Sequence, residues 1–363
     1  MKIYVYAICR NEKQFAERWY DSVAEADGVY VTDTGSTDGT VERLRTLGAT
    51  VYEEAVEPFR FDVARNLALS HVPEDADICV SVDLDEVFER GWRAELESAW
   101  TRETTIAGYY ICCHNPDGSE GASFLTYKAH SRTDYRWRYP THEVLMHVGD
   151  SREVRTAAAR AVLRHFPDTA KPRTGYLPLL ELGAAESPGD SRMQYYLARE
   201  YLYAGRHADC AATARRYLDN PASVWDEERA SACGLAADAM LALGNLLESY
   251  RWRYRAIAEA PQLREPYTEL AKLALSQGEW ELSLAMCVSA LKIESKSATF
   301  INSGDSWNST LYDVASVASY WLDLYGRSLS LAETALTLDP TSERIRANVE
   351  LISAKLSQAD RRG

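Results

Sequence analysis

The sequence predicts a two-part chain: an α/β domain on a mostly parallel sheet, followed by an all-α domain of helical repeats. Three observations carry this expectation. Short β-branched and aromatic runs alternate with helical stretches through the first part of the chain. From about Asp168 the texture changes to Ala, Leu, Tyr and Arg at helical spacing. The length, 363 residues, exceeds what one ordinary core holds. The expected division is 1–168 for the α/β domain, 169–186 for a connecting helix and 187–363 for the repeats.

In order, Lys2 to Ile8 reads as a strand and Cys9-Arg10-Asn11-Glu12 as the turn after it. A helix over Lys13–Ala24 precedes a second strand, Gly28–Thr32. The segment Asp33-Thr34-Gly35-Ser36-Thr37-Asp38-Gly39-Thr40 follows, rich in small and capping residues that feed a helix over Val41–Leu47. Ala49–Tyr52 is a third strand, Asp62–His71 a helix, and Asp77–Val82 a fourth strand. That strand runs into Asp83-Leu84-Asp85-Glu86. Alternation sends Asp83 and Asp85 to one side, roughly 6–7 Å apart. At an effective dielectric near 20 they repel by about 2.5 kcal/mol. A divalent cation removes that repulsion, and hard oxygen donors suit Mg²⁺ or Mn²⁺; a solvated strand-end turn is the plainer alternative.

The order βαβαβαβ implies ligands beyond the carboxyl ends of the strands, where the turns at Arg10, Asp33 and Asp83 lie. No Gly-x-Gly-x-x-Gly follows the first strand and no Gly-Lys-Ser/Thr occurs, which argues against dinucleotide dehydrogenases and P-loop enzymes. No apolar run is long enough to span a membrane and no leader is evident, so a cytoplasmic protein is expected. Seven cysteines without a Cys-x-x-Cys pair suggest reduced thiols rather than disulfides or zinc. The net charge of −14 opposes non-specific nucleic-acid binding. Locally the sign reverses: Lys128 to Arg164 holds eight basic and four acidic residues.

Four motifs together carry a resemblance. Ile8-Cys9-Arg10-Asn11-Glu12, Asp33 to Thr40, Phe61-Asp62-Val63-Ala64-Arg65-Asn66 and Asp83-Leu84-Asp85-Glu86 resemble the GT-A fold glycosyltransferases of family 2. Lys128 to Arg132 and Trp137 to Glu143 resemble the segment that closes the active site in the subgroup with helical-repeat tails. The resemblance implies a nucleotide-sugar donor, UDP-sugar foremost. The turn bearing Ile8, Arg10 and Glu12, together with Asp33, would hold base and ribose, with Arg65 reaching the base. Asp83 and Asp85 would bind Mn²⁺ or Mg²⁺ and through it the diphosphate. His165 matches a late histidine that completes the metal site, although Phe166-Pro167 departs from the aromatic-Gly that usually follows.

Displacing a nucleoside diphosphate builds positive charge on the sugar and negative charge on the phosphates. A metal acts there as a Lewis acid, and an acceptor hydroxyl needs a positioned base. Glu143 is the candidate base, Asp117 a rival, and an incoming nucleophile opposite the leaving group would invert the anomeric centre. His142 and Glu143 could instead orient a loop. His71, His114 and His147 read as satisfied polar residues. Arg132, Arg136 and Arg138 would clamp an anion or simply line a solvated strand face.

Lys171–Ala185 reads as a connecting helix broken near Pro178. Four helical pairs follow, each with a glycine near its bend: Gly205, Gly244, Gly278 and Gly326. Three stop close to Pro221, Pro261 and Pro340. This tetratricopeptide-like half would present a protein or peptide acceptor, or dimerise the chain. The competing acceptors are a hydroxymethylated DNA base and a saccharide or lipid-linked acceptor. A non-catalytic repeat scaffold is the alternative from another class.

Overall fold

The computed structural model describes the whole chain except residues 116–117, 169–174, 298 and 361–363. It divides into two compact units, Met1–Glu186 together with Thr299 and Phe300, and the remainder from Ser187.

The first unit is built on β1 (Ile3–Cys9), α1 (Ala16–Val23), β2 (Gly28–Asp33), α2 (Thr40–Leu47), β3 (Thr50–Glu53), α3 (Phe61–Ser70) and β4 (Ile78–Ser81). After these come β5 (Glu86–Phe88), α4 (Trp92–Ala99), β6 (Ile106–His114), β7 (Glu120–His130), β8 (Tyr135–Arg138), β9 (Val144–His147), β10 (Arg155–His165) and α5 (Tyr176–Glu186). One sheet runs β3-β2-β1-β4-β7-β6-β10-β5, and β8 and β9 form a separate antiparallel ribbon. The first four strands are parallel, and β10 is parallel to β6, whereas β7 and β5 run against their neighbours. The α/β class expected from the alternation is the one found.

Alternation along β1 divides two cores. Ile3, Val5, Ala7 and Cys9 pack with Val29, Val31 and Val80 against Trp19 and Val23 of α1, Leu44 of α2 and Trp92 of α4. Tyr4 and Tyr6 face the other side, where Ala68 and Leu69 of α3 and Trp137 of β8 cover them. Strands buried on both faces read as continuous apolar runs, which is why these were recognisable.

The second unit stacks antiparallel pairs: α6 (Ser191–Tyr203) with α7 (His207–Asp219), α8 (Asp226–Ala242) with α9 (Leu246–Glu259), α10 (Arg264–Ser276) with α11 (Trp280–Leu291), and α12 (Thr310–Trp321) with α13 (Tyr325–Leu338). A single helix, α14 (Glu343–Asp360), packs after them. Small residues let the helices approach: Ala271, Cys287, Ala290, Ala315 and Ala318 share one core. The tetratricopeptide-like repeat is therefore present.

Two details differ from the sequence expectations. The fourth bend is not made by Gly326, which lies inside α13; Asp323 takes the left-handed position, at φ 57°, that Gly205, Gly244 and Gly278 occupy at φ 71–76° in the other three. Pro178 does not break a helix. It stands in the first turn of α5, where a missing N–H leaves no hydrogen bond unmade.

Candidate active site

The turns after β1 and β2 are laced together. Asn11, at φ 55°, donates its amide to Ser36 Oγ (2.8 Å) and accepts from the Thr37 amide at Oδ1 (2.8 Å). The Glu12 amide donates to Thr40 Oγ1 (2.9 Å) and that of Lys13 to Asp38 Oδ2 (3.2 Å). Partial burial works against the Asp38 charge, but the Thr40 hydroxyl and the amides of Lys13 and Thr40 outweigh it and lower its pKa. Asp33 is buried at the tip of β2, where Oδ1 accepts from the amides of Gly35 (2.9 Å) and Ser36 (2.8 Å). Its Oδ2 accepts from the Ser36 hydroxyl and the Cys9 thiol. The carboxylate expected at base and ribose thus organises its own turn, which needs the φ of 111° at Gly35. Ile8 packs against the second core beneath this turn, Glu12 is buried and Arg10 is exposed.

The acidic turn corrects the alternation argument. β4 ends at Ser81, and the Glu86 amide bonds back to the Asp83 carbonyl (2.9 Å), so residues 83–86 form a turn instead of a strand. Asp83 and Asp85 consequently have different partners. Asp83 accepts two parallel bonds from Arg65, Nη1 to Oδ1 (2.7 Å) and Nη2 to Oδ2 (2.9 Å). Lys128 Nζ lies 3.8 Å from Asp83 and 3.0 Å from Glu86 Oε1, and Glu86 Oε2 accepts the Asp83 amide (2.9 Å). Burial opposes ionisation of Asp83, but Arg65 and Lys128 overcome it and hold the carboxyl well below its usual range. Burial pushes Glu86 upward, against the pull of Lys128. Asp85 Oδ2 instead meets His165 Nε2 at 3.3 Å, because β5 pairs antiparallel with the end of β10. Burial lowers the His165 pKa, yet bonds to Asp85 and Cys113 raise it overall, to about 10.

The third helix fixes what lies opposite. Arg65 is 7% exposed at its side chain and donates from Nε to Glu143 Oε1 (2.5 Å), with its guanidinium 4.9 Å above the Trp137 ring. Asn66 exchanges two bonds with the Trp137 backbone (2.8 and 2.9 Å), and the Phe61 amide donates to the Pro140 carbonyl (2.9 Å). The loop between β8 and β9 so held contains two non-glycine residues with positive φ, Tyr139 at 81° and His142 at 50°. Below it, Trp137 Nε1 lies 2.8 Å from the Tyr6 hydroxyl, which lies 2.8 Å from His130 Nε2.

Among the described residues, every expected site residue thus lies near a carboxyl end of the parallel strands or on the β8–β9 loop and β10. Arg65 is engaged with Asp83 and Glu143 rather than extended toward a base. Asp117 lies outside the described residues. The three-donor metal set is not assembled, since Asp83 is turned to Arg65 while Asp85 and His165 stand together. Among the described residues no group of three or more His, Cys, Asp and Glu side chains is placed to hold a cation. A carboxylate and an imidazole side by side still fit an ion that takes its other ligands from phosphate and water.

Lys128 and Glu86 were not singled out as functional from the sequence. Their pairing joins β7 to the acidic turn, and no local spacing encodes it. His71 is satisfied, as expected, between Thr32 (3.0 Å) and Glu54 (2.9 Å) and stacked on Tyr52. All seven cysteines are free, and no helix among the described residues is long and apolar enough to cross a membrane.

Among solved structures, the chain is similar to one described as "MamA MSR-1 C2", at 15% identity and a TM-score of 0.37 over 47% of this chain and 89% of that one. It is also similar to the "APC/C hetero-tetramer Cut9-Hcn1", at 12% identity and 0.39 over 51% of this chain and 33% of that one. At such low values the repeat architecture rests on the helix pairs themselves. No curated protein matches the chain. Residues 4–163 match the family model for glycosyl transferase family 2, a span that begins in β1 and ends within β10 and takes in the acidic turn, the Arg65 helix and the β8–β9 loop. Over residues 4–163, within its first unit, the chain is thus similar to the family 2 glycosyltransferases.

Proposed function

We propose that the protein transfers a sugar from a nucleotide-sugar donor, UDP-sugar foremost, to a protein or peptide side chain with inversion, using Mn²⁺ or Mg²⁺. The observation that carries this reading is the division of labour at the acidic turn, Asp83 with Arg65 and Asp85 with His165. The turn bearing Ile8, Arg10 and Glu12, together with Asp33, is the proposed floor of the nucleoside site. Asp85 and His165 are the proposed protein ligands of the cation, with Asp83 beside them on the donor side. When bound, the ion would supply Lewis-acid stabilisation of the leaving diphosphate.

The chain's own residues do the rest. Glu143, the proposed base, has Oε1 fixed by Arg65 and, among the described residues, no hydrogen bond to Oε2. It takes the acceptor's proton as the acceptor oxygen bonds to the anomeric carbon and the bond from that carbon to the phosphate oxygen breaks. Its side chain is 11% exposed, which limits competing water. Helical repeats offer the kind of surface on which an extended peptide is presented.

The test is nucleoside diphosphate release from a panel of nucleotide sugars, with Mn²⁺ and with a chelator. Release from one donor that stops on chelation is expected. Asp85→Ala should abolish it while shifting the melting temperature by no more than a few degrees. An unchanged rate in that variant rejects the assignment of Asp85.

A further inference from the structure

We propose that Arg65 is a positioning residue that couples the acceptor-side carboxylate, Glu143, to the donor-side carboxylate, Asp83, so that engagement of either is felt at the other. The inference rests on the functional reading above in taking those two carboxylates to face acceptor and donor.

The geometry leaves the guanidinium little freedom. Its Nη1 and Nη2 atoms bond to Asp83 as a parallel pair, Nη1 also reaches Ser81 Oγ (3.2 Å), and Nε bonds to Glu143. All these donors belong to one rigid plane, so a rotation that follows one carboxylate withdraws from the other. The plane is packed on Trp137, whose backbone is fixed by the neighbouring Asn66. Lys128 Nζ also lies 3.8 Å from Asp83 Oδ2, and the Asp83 amide is held by Glu86. Glu143 is anchored through a loop that α3 itself restrains at Pro140. One cation is therefore shared between two carboxylates, and a ligand that draws on Asp83 changes how much of that charge Glu143 receives. Lysine cannot replace this function: a single ammonium lacks the fork that addresses both carboxylates in fixed geometry.

The experiment is a double-mutant cycle with the full chain: wild type, Arg65→Lys, Glu143→Gln and both together. Two quantities are read, the affinity for each nucleoside diphosphate of a panel in Mn²⁺, and kcat with KM for donor turnover. Glu143→Gln is expected to change the affinity of the bound nucleotide at least threefold in the wild-type background, and less than 1.5-fold when Arg65 is already Lys. Arg65→Lys is expected to lower kcat at least tenfold with KM moving less than threefold, and to add less than twofold once Glu143 is Gln. Effects that multiply in both quantities overturn the proposal, because a merely structural arginine would act alike in either background. If Glu143→Gln leaves kcat unchanged while the affinity cycle still couples, the base reading fails and the coupling stands. Should Arg65→Lys not fold, as judged by its thermal melt, Asp83→Asn replaces it, since it breaks the same link at the other end, and the same two outcomes decide.

Discussion

Tyr6, His130 and Trp137 form a chain of hydrogen bonds whose directions are all determined. The indole N–H of Trp137 only donates, so the Tyr6 oxygen accepts from it and gives its own proton to His130 Nε2. His130 Nδ1 then carries the ring proton and donates to the Ser131 carbonyl (2.8 Å). Burial drives the His130 pKa from 6.5 down to about 4. A histidine kept neutral in the fold contributes stability that is complete above pH 6.5 and is lost as the pH falls toward 4. The loss from this group is at most about 1.4 kcal/mol per pH unit. Urea midpoints at pH 7 and pH 5 should therefore lie further apart in the wild type than in His130→Leu, and equal separations would reject the assignment. At this scale the sequence reveals which residues have chemistry but not whom they meet. Asp85 and His165 could be singled out from their motifs, whereas the pairing of Arg65 with Glu143 joins α3 to a loop some distance along the chain, and no local spacing records it.

Elements were most legible where both faces are buried or where a bend demands a glycine. Gly205, Gly244 and Gly278 end their helices with positive φ. A methyl group added at Gly244 meets nothing within 4 Å, so the cost of Gly244→Ala is one of backbone conformation alone, about 1 kcal/mol. Gly326 is equally uncrowded but sits within α13, where Gly326→Ala should stabilise by about 0.5 kcal/mol. Chemical denaturation of the two variants should give shifts of opposite sign; shifts of the same sign would restore Gly326 as a bend residue. The acidic turn was misread for the complementary reason. Apolar residues continue through Val82 and Leu84, both fully buried, although the strand has ended. Hydrophobic pattern reports burial, and a turn packed inside the molecule is as apolar as the strand before it.

Across the whole molecule the charge is −14, yet Lys128, Arg136 and Arg138 belong to a locally basic segment. Lys128 is tied to Glu86 and Asp83, and Arg136 bonds to the Tyr135 and Thr133 carbonyls. The Lys128 charge is thus met within the fold, and a protein of net charge −14 should not hold duplex DNA. No salt-sensitive binding to duplex DNA is expected even at low ionic strength; a steep salt dependence would favour a base in DNA as the acceptor. The two-part plan was visible in the change of texture after Asp168. The antiparallel insertion of β7 between β4 and β6, and of β5 at the edge beside β10, was not, because strand order is decided by pairings between distant segments. The pairing of β5 with β10 also orders events in time. β5 carries the end of the acidic turn and pairs, among the described residues, with β10 alone. As the chain leaves the ribosome, Asp85 is synthesised long before the strand that brings His165 to it, and the domain stays incomplete until β10 has emerged. A nascent chain halted before β10 would carry the acidic turn without the strand that pairs with β5 and brings His165 to Asp85.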